Sequence, residues 1–139
     1  MSKIAVVFWS GSGNTEKMAD IFAEGVKEAG GEAEILQARD FDSSMVGDYD
    51  AFGFGCPAMG DEELEETEFE PMFSDVEHEL GDKKTVLFGS YSWNDGEWMD
   101  NWAFRASNAG VNVVETVIAY EAPGVDETAE LKEAAAKLL

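Results

Sequence analysis

Three short polar segments hold the residues best suited to bind a small molecule. The segment 10–15, Ser-Gly-Ser-Gly-Asn-Thr, precedes a predicted helix, so its hydroxyls and the unpaired N–H groups of the helix start could hold an anion such as a phosphate. It lacks the Lys of a Walker loop, and Glu16 stands where a dinucleotide-binding motif has its third glycine. The segment therefore predicts either a phosphate site or an ordinary capped helix turn.

The other two segments each place a large side chain among turn residues. Segment 56–62 contains Met59 beside Gly60, and segment 90–96 contains Trp93 between Ser92 and Asn94. Neither side chain follows the period of a strand or helix, although isolated exposed apolar residues are common. Taken with the first segment, they predict a site for a flat aromatic ring that carries a phosphate.

Alternating strands and helices are predicted to position these segments. Apolar runs predict strands, and three- to four-residue spacing predicts helices. The order indicates a parallel sheet with helices on both faces, in which ligands bind beyond the carboxyl ends of the strands. The glycines of the third strand suggest close backbone approach, and Asp126 is a predicted N-cap. The predicted strands are 3–9, 32–37, 49–55, 85–89 and 111–120, and the predicted helices lie within 16–29, 69–80, 97–108 and 127–138.

Composition excludes several classes of function. The chain has 139 residues, which suits a single domain over 1–139, and 30 acidic against nine basic residues give a net charge of −21. That charge disfavours nucleic acid and anionic membrane as partners. One cysteine and one histidine exclude a disulfide framework and disfavour a zinc site, and they suit a cytoplasmic protein. Cys56 itself is expected to be a buried small hydrophobe.

The three segments together resemble those of a known family. Trp9 with SGSGNT, GCPAMGDEELEETEFEP, and FGSYSWNDGEWMDNW are similar to the short-chain flavodoxins of anaerobic bacteria, of the clostridial and Megasphaera type. The resemblance covers the whole chain. It implies the flavodoxin-like α/β fold, a doubly wound five-stranded parallel sheet in the order 2-1-3-4-5, and a non-covalently bound FMN. That strand order is the known order for flavodoxins.

The resemblance also implies roles for individual residues. The first segment would hold the FMN phosphate, Met59 and Trp93 would enclose the isoalloxazine ring, and Glu62 would face its N3 edge. Gly60 and Asp61 would face N5, while Tyr91 and its neighbours would border the ring. Some relatives have a serine near the phosphate where Pro57 stands. The full predicted set is Ser10, Gly11, Ser12, Gly13, Asn14, Thr15, Pro57, Ala58, Met59, Gly60, Asp61, Glu62, Ser90, Tyr91, Ser92, Trp93 and Gly96.

The function implied is electron transfer without substrate turnover. The carrier would shuttle at low potential between the semiquinone and hydroquinone of FMN. The alternative is an FMN-dependent quinone or nitro reductase on the same fold, which would need room above the ring. A phospho-receiver domain is set aside, because Trp9-Ser10 and Gly55-Cys56 occupy the strand ends where its aspartates belong. The expected partners are redox proteins with basic docking faces (reductases, ferredoxin-dependent oxidoreductases and hydrogenase-type enzymes), and the chain is expected to be a monomer.

Overall fold

Five strands alternate with four α-helices along the chain. The computed structural model describes residues 2–139. Two short 3-10 helices, Ala38–Asp40 and Ser43–Asp48, fill the connection between the second and third strands. The elements are β1 Lys3–Phe8, α1 Asn14–Glu28, β2 Glu32–Gln37, β3 Ala51–Gly55, α2 Phe69–Val76, β4 Lys84–Tyr91, α3 Glu97–Asn108, β5 Asn112–Tyr120 and α4 Val125–Ala136.

The strands form one parallel sheet in the order β2-β1-β3-β4-β5, as predicted. Apart from Lys3 at the start of β1, the central strands β1 and β3 consist of buried apolar residues and glycine, because helices cover both faces. The edge strand β2 is exposed or half-buried throughout, and the predicted alternation breaks at Glu34 and Ile35, which are both exposed. The carboxyl ends of β1, β3 and β4 therefore lie side by side.

Alternate residues of β1 enter two separate cores. Ile4, Val6 and Phe8 pack with α1 and α4 on one face of the sheet. Ala5 and Val7 pack on the other face with α2, α3 and the 3-10 segment. This is the two-residue period of a strand expressed as two hydrophobic layers. Among the described residues, no helix is both long and apolar enough to cross a membrane.

The glycines of β3 have a different role from the one predicted. A Cβ atom on Gly53 would lie 2.5 Å from the ring of Phe22, and one on Gly55 would lie 2.2 Å from the ring of Phe88. These glycines therefore make room for aromatic rings. Close backbone approach occurs instead at Gly89 in β4, where a Cβ would lie 2.1 Å from the carbonyl oxygen of Cys56.

Most predicted boundaries differ from the structure by one to four residues, and two of the differences have a clear physical cause. The N-cap of α4 is Gly124, and Asp126 lies in the first turn; the Glu127 carboxylate accepts a hydrogen bond of 2.8 Å from the Gly124 N–H. Strand β4 runs to Tyr91, because Ser90 and Tyr91 still pair with Ala119 and Tyr120 of β5. The loop after β4 is thus two residues shorter than predicted.

Candidate cofactor-binding site

A cleft opens where the three predicted segments meet at the carboxyl edge of the sheet. Its volume is about 200 Å³. The loop after β1, the segment after β3 and the end of β4 with its loop all contribute to its walls. The lining residues are Trp9, Gly11, Ser12, Pro57, Ala58, Met59, Ser90, Tyr91, Ser92, Trp93 and Asn94.

The loop after β1 combines both structures that its sequence allowed. The Ser10 hydroxyl accepts hydrogen bonds from the N–H groups of Gly13 (3.1 Å) and Glu16 (3.3 Å), so it caps α1. Gly13 has φ +97°, a left-handed conformation that glycine adopts at little cost. The N–H groups of Asn14 and Thr15 have no acceptor within residues 2–139 and remain free for an anion. The loop is therefore a capped turn that fits a phosphate.

The Thr15 side chain has a structural contact as well. Its hydroxyl lies 3.0 Å from that of Ser90, and both residues are buried. The Ser90 N–H also donates to the Thr15 oxygen at 3.4 Å. These contacts join the start of α1 to the end of β4. They engage the Thr15 hydroxyl within the protein, whereas the Thr15 backbone N–H has no acceptor among residues 2–139.

The segment after β3 folds back on itself as a tight hairpin of residues 59–63. Met59 and Glu63 exchange two backbone hydrogen bonds of 2.8 and 2.9 Å. The turn requires φ values of +48° at Gly60 and +63° at Glu62. Such a value is uncommon for a residue with a side chain, so the position of Glu62 carries a conformational cost. The Gly60 carbonyl accepts a hydrogen bond of 3.0 Å from the Asn94 side-chain amide.

The carboxylate of Glu62 connects this hairpin to α3. It accepts hydrogen bonds from the Asp95 N–H, at 2.7 Å, and from the Trp98 N–H. Both donors lie at the helix start, where the positive end of the helix dipole favours a negative group. Gly96, at φ +91°, is the N-cap of α3 and is buried outside the cleft lining. Glu62 and Gly96 therefore lie outside the cleft lining, and Glu62 ties the hairpin to the start of α3.

Met59 and Trp93 form the apolar part of the cleft. Met59 is half-buried, whereas the Trp93 side chain is 82% exposed, an unusual position for an indole. Tyr91 packs against Trp98 and Tyr120, with ring centroids 5.7 and 5.6 Å apart. A planar group bound in the cleft would cover the exposed indole. The apolar faces and the free N–H groups thus suit a ring with a phosphate chain, such as FMN.

Two residues of the cleft lining, Trp9 and Asn94, are outside the predicted set, and one buried acid beside the cleft, Glu65, was also not predicted. Asn94 lines the cleft and bonds to Gly60, but an asparagine among turn residues gives no sequence indication of such a contact. Glu65 is only 4% exposed although it lies in an acidic run that looked like a solvated face. Trp9 lines the cleft, as expected of a core or wall residue.

Glu65 anchors the far end of the segment 56–66. Its carboxylate accepts hydrogen bonds from the N–H groups of Thr67 (2.8 Å), Glu68 (2.7 Å) and Phe69 (2.8 Å), and from the Thr67 hydroxyl. Burial alone would raise the pKa of Glu65, but these hydrogen bonds outweigh it and lower the pKa. Its N–H donates to the thiol sulfur of Cys56 at 3.4 Å. Cys56 is buried as predicted, and burial raises its thiol pKa.

Helices α2 and α3 are joined by Arg105 next to the cleft. Its guanidinium makes two hydrogen bonds to Glu70, of 2.6 and 2.7 Å, and two to Glu77, of 3.1 and 2.9 Å. The bonds to Glu70 contribute most to a raised Arg105 pKa. A second cavity of about 380 Å³ separates these helices from the hairpin, and Glu62, Glu63, Glu66 and Glu70 line it. The surface beside the site is therefore strongly acidic.

Comparison with known proteins agrees with this geometry. The flavodoxin family model matches residues 6–137. The chain is 46% identical to a flavodoxin of Megasphaera elsdenii, over 96% of this chain and 98% of that protein, and 44% identical to one of Clostridium beijerinckii, over 80% of each. The solution structure of the two-electron reduced Megasphaera elsdenii flavodoxin superimposes with a TM-score of 0.89, covering 96% of this chain and 98% of that one.

More distant structures share the fold. Oxidised flavodoxin 1 from Bacillus cereus has a TM-score of 0.84 at 26% identity, over 99% of this chain and 97% of that one. The match over nearly the full chain and the agreement in strand order lead to one conclusion: the chain belongs to the flavodoxin family.

Proposed function

We propose that this flavodoxin is a low-potential one-electron carrier whose FMN sits in the cleft between Met59 and Trp93. As a member of its family, the chain is an FMN-binding electron carrier and does not turn over a substrate of its own. FMN, when bound, supplies reversible one-electron chemistry. The observation that supports the site assignment is that residues of all three segments line one cleft.

The loop 10–15 would hold the phosphate without a basic side chain. It contains no Lys or Arg, so the charge of a phosphate would be balanced by the free N–H groups of Asn14 and Thr15 and by the helix dipole. The exposed Ser12 offers a further hydroxyl at the cleft. Because no cation compensates it, the phosphate would add to the negative potential of the site.

Trp93 and Met59 would orient the ring and exclude water from its faces. The indole of Trp93 is exposed and would be covered by an aromatic ring, a contact worth about 0.5–1.5 kcal/mol beyond the buried area. An indole stacked on the ring would also leave little room for a second substrate above it. This disfavours a quinone or nitro reductase and supports a carrier.

The Gly60 carbonyl oxygen would accept a hydrogen bond from the N–H group at N5 of the ring. Gly60 is exposed at the tip of the hairpin, and a glycine there allows the peptide to Asp61 to change direction. A carbonyl accepts a hydrogen bond only from a nitrogen that carries hydrogen, so it would favour the form protonated at N5. Gly60 thus separates the two one-electron potentials.

The acidic groups around the cleft would oppose the second electron. Asp61, Glu63 and Glu66 are exposed at or beside the hairpin, and the whole chain carries a net charge of −21. Like charges disfavour an added negative charge, so the second reduction would occur at low potential.

The same charges would attract basic faces of redox partners, in contacts that are small and transient. We further propose that the protein is a cytoplasmic monomer in which residues 1–139 form one FMN-binding domain.

The test is to compare FMN with riboflavin as ligands of the apoprotein. If the loop holds a phosphate, removing that phosphate leaves several donors unpaired, at about 1–3 kcal/mol for each donor left dry. FMN should therefore bind at least tenfold more tightly than riboflavin, and the reconstituted protein should show flavin absorption bands. Equal affinities would contradict the phosphate assignment.

A further inference from the structure

Asn94 holds the carbonyl on which the proposed redox function depends. Its side-chain Nδ2 donates a hydrogen bond of 3.0 Å to the Gly60 carbonyl oxygen, across from the loop after β4 to the hairpin tip. We propose that Asn94 is a positioning residue that competes with the protonated ring nitrogen for this carbonyl, and thereby makes the first reduction less favourable. The proposal rests on FMN occupying the cleft.

The direction of the competition follows from which residues face the cleft. Asn94 lines the cleft, whereas Gly60 does not. Gly60 instead lines a separate cavity, together with Glu63 and Thr67. The carbonyl that Asn94 holds is therefore at the margin of the site. For the Gly60 carbonyl to reach a group bound in the cleft, the Gly60–Asp61 peptide must turn and lose its hydrogen bond from the Asn94 side-chain amide.

The contacts on either side confine this movement to one peptide. Met59 and Glu63 are paired by two backbone hydrogen bonds, and Glu62 is held by the N–H groups of Asp95 and Trp98. The hairpin base and the Glu62 side chain are thus fixed. Asp61 is exposed, and its side chain makes no hydrogen bond with the described residues. The Gly60–Asp61 peptide is the part that can turn, and Asn94 is its side-chain partner.

The chemical step involves one electron and one proton. With FMN bound, an external one-electron reductant such as dithionite would supply the electron and solvent would supply the proton, so that N5 of the ring would carry hydrogen. The Gly60 carbonyl then exchanges one donor, the Asn94 amide, for another, the ring N–H. The Asn94 amide would then be hydrated by water. The first reduction is therefore less favourable by the net free energy of the hydrogen bond that Asn94 loses.

Removing the Asn94 amide should therefore favour the first reduction. A net hydrogen bond between neutral groups corresponds to about 2- to 12-fold in an equilibrium constant. Asn94→Ala should increase the equilibrium constant for the first electron by roughly this factor. The constant for the second electron, which adds no further bond to this carbonyl, should change less, so the two potentials should move apart.

The experiment is a spectroscopic redox titration of the FMN-loaded protein with dithionite. It compares the parent, Asn94→Ala and the control Asn108→Ala, which removes an exposed asparagine at the end of α3 that has no side-chain hydrogen bond with the described residues. The control should match the parent. An unchanged first constant in Asn94→Ala, or a decrease, would overturn the proposal. Should the alanine variant fail to fold, Asn94→Ser, whose side chain is too short for this contact, is subject to the same criteria.

A second readout separates this proposal from the proposed function. Amide hydrogen exchange of the Asn94 side chain, followed by NMR, should be slower in the oxidised protein than in the two-electron reduced protein, which also carries hydrogen at N5. Exchange that is equally fast in both states would refute the competition even if FMN binds normally. A protein that does not bind FMN would instead refute the proposed function.

Discussion

Replacing Glu65 by glutamine should destabilise the protein far more than the same change at its neighbour Glu66. The two oxygens of Glu65 accept four hydrogen bonds, two on each oxygen, at the start of α2. Glutamine keeps one acceptor oxygen and turns an NH₂ group toward the other two donors. Glu66 is exposed and accepts no hydrogen bond from the described residues, so Glu66→Gln is the matched control.

The expected loss is about 2–4 kcal/mol. Hydrogen bonds to a charged group are worth about 1.5–3 kcal/mol each, and two of the four are lost, with some recovered by relaxation. With a urea m-value of about 2 kcal/mol/M, the unfolding midpoint at pH 7 should fall by roughly 1–2 M. Because Glu65 also holds the end of the segment that carries Met59, the affinity for FMN should fall as well.

The stabilisation by Glu65 should depend on pH in a defined direction. Hydrogen bonding lowers the pKa of Glu65 in the folded protein, so its contribution is fully present above the unfolded pKa of about 4.3. The contribution disappears as pH falls through the folded pKa. The difference in unfolding free energy between the parent and Glu65→Gln should therefore narrow below about pH 4. Equal urea midpoints for Glu65→Gln and Glu66→Gln at pH 7 would refute the role given to Glu65.

Three further changes have defined outcomes. Trp93→Ala should weaken FMN binding about 2- to 12-fold and reduce the quenching of tryptophan fluorescence by FMN; unchanged affinity and quenching would exclude stacking. Gly60→Val should bring the two one-electron potentials together, because a residue without a side chain lets the Gly60–Asp61 peptide turn its carbonyl toward N5 at little cost and a β-branched residue would make that turn costly; an unchanged gap in a redox titration would refute this. Arg105→Leu should lower the free energy of unfolding by about 1–3 kcal/mol, because it leaves the nearly buried Glu77 carboxylate (10% exposed) without its cation. Adding Glu77→Gln to this variant should restore part of the lost stability.

The partner prediction concerns ionic strength. Electron-transfer rates to a redox protein with a basic face should fall steeply as salt is added, because the net charge of −21 steers the encounter. The measurement is stopped-flow oxidation of the reduced protein at increasing salt concentrations, with an acidic acceptor of similar potential as the control. Rates to the basic acceptor that do not change with salt would remove the electrostatic basis for these partners.

The sequence was sufficient for the fold and for the convergence of the three segments on one cleft. Continuous apolar runs such as Ile4–Phe8 and helical spacing such as Met18, Phe22 and Val26 predict elements because burial in two layers imposes those periods. Parallel strands bring their carboxyl ends to one edge, so the three segments had to converge. The cleft formed by those segments was therefore predictable.

Only the tertiary structure showed what individual polar side chains do. Glu65 and Glu66 are identical residues in one acidic run, yet the first caps a buried helix end and the second lies in solvent. The contact of Asn94 with Gly60 and that of Thr15 with Ser90 join positions 34 and 75 residues apart. A hydrophobic period is a local property of the chain, and sequence therefore determines it. A hydrogen bond between distant loops depends on how the sheet aligns them, to within an ångström, and that alignment exists only in the folded protein.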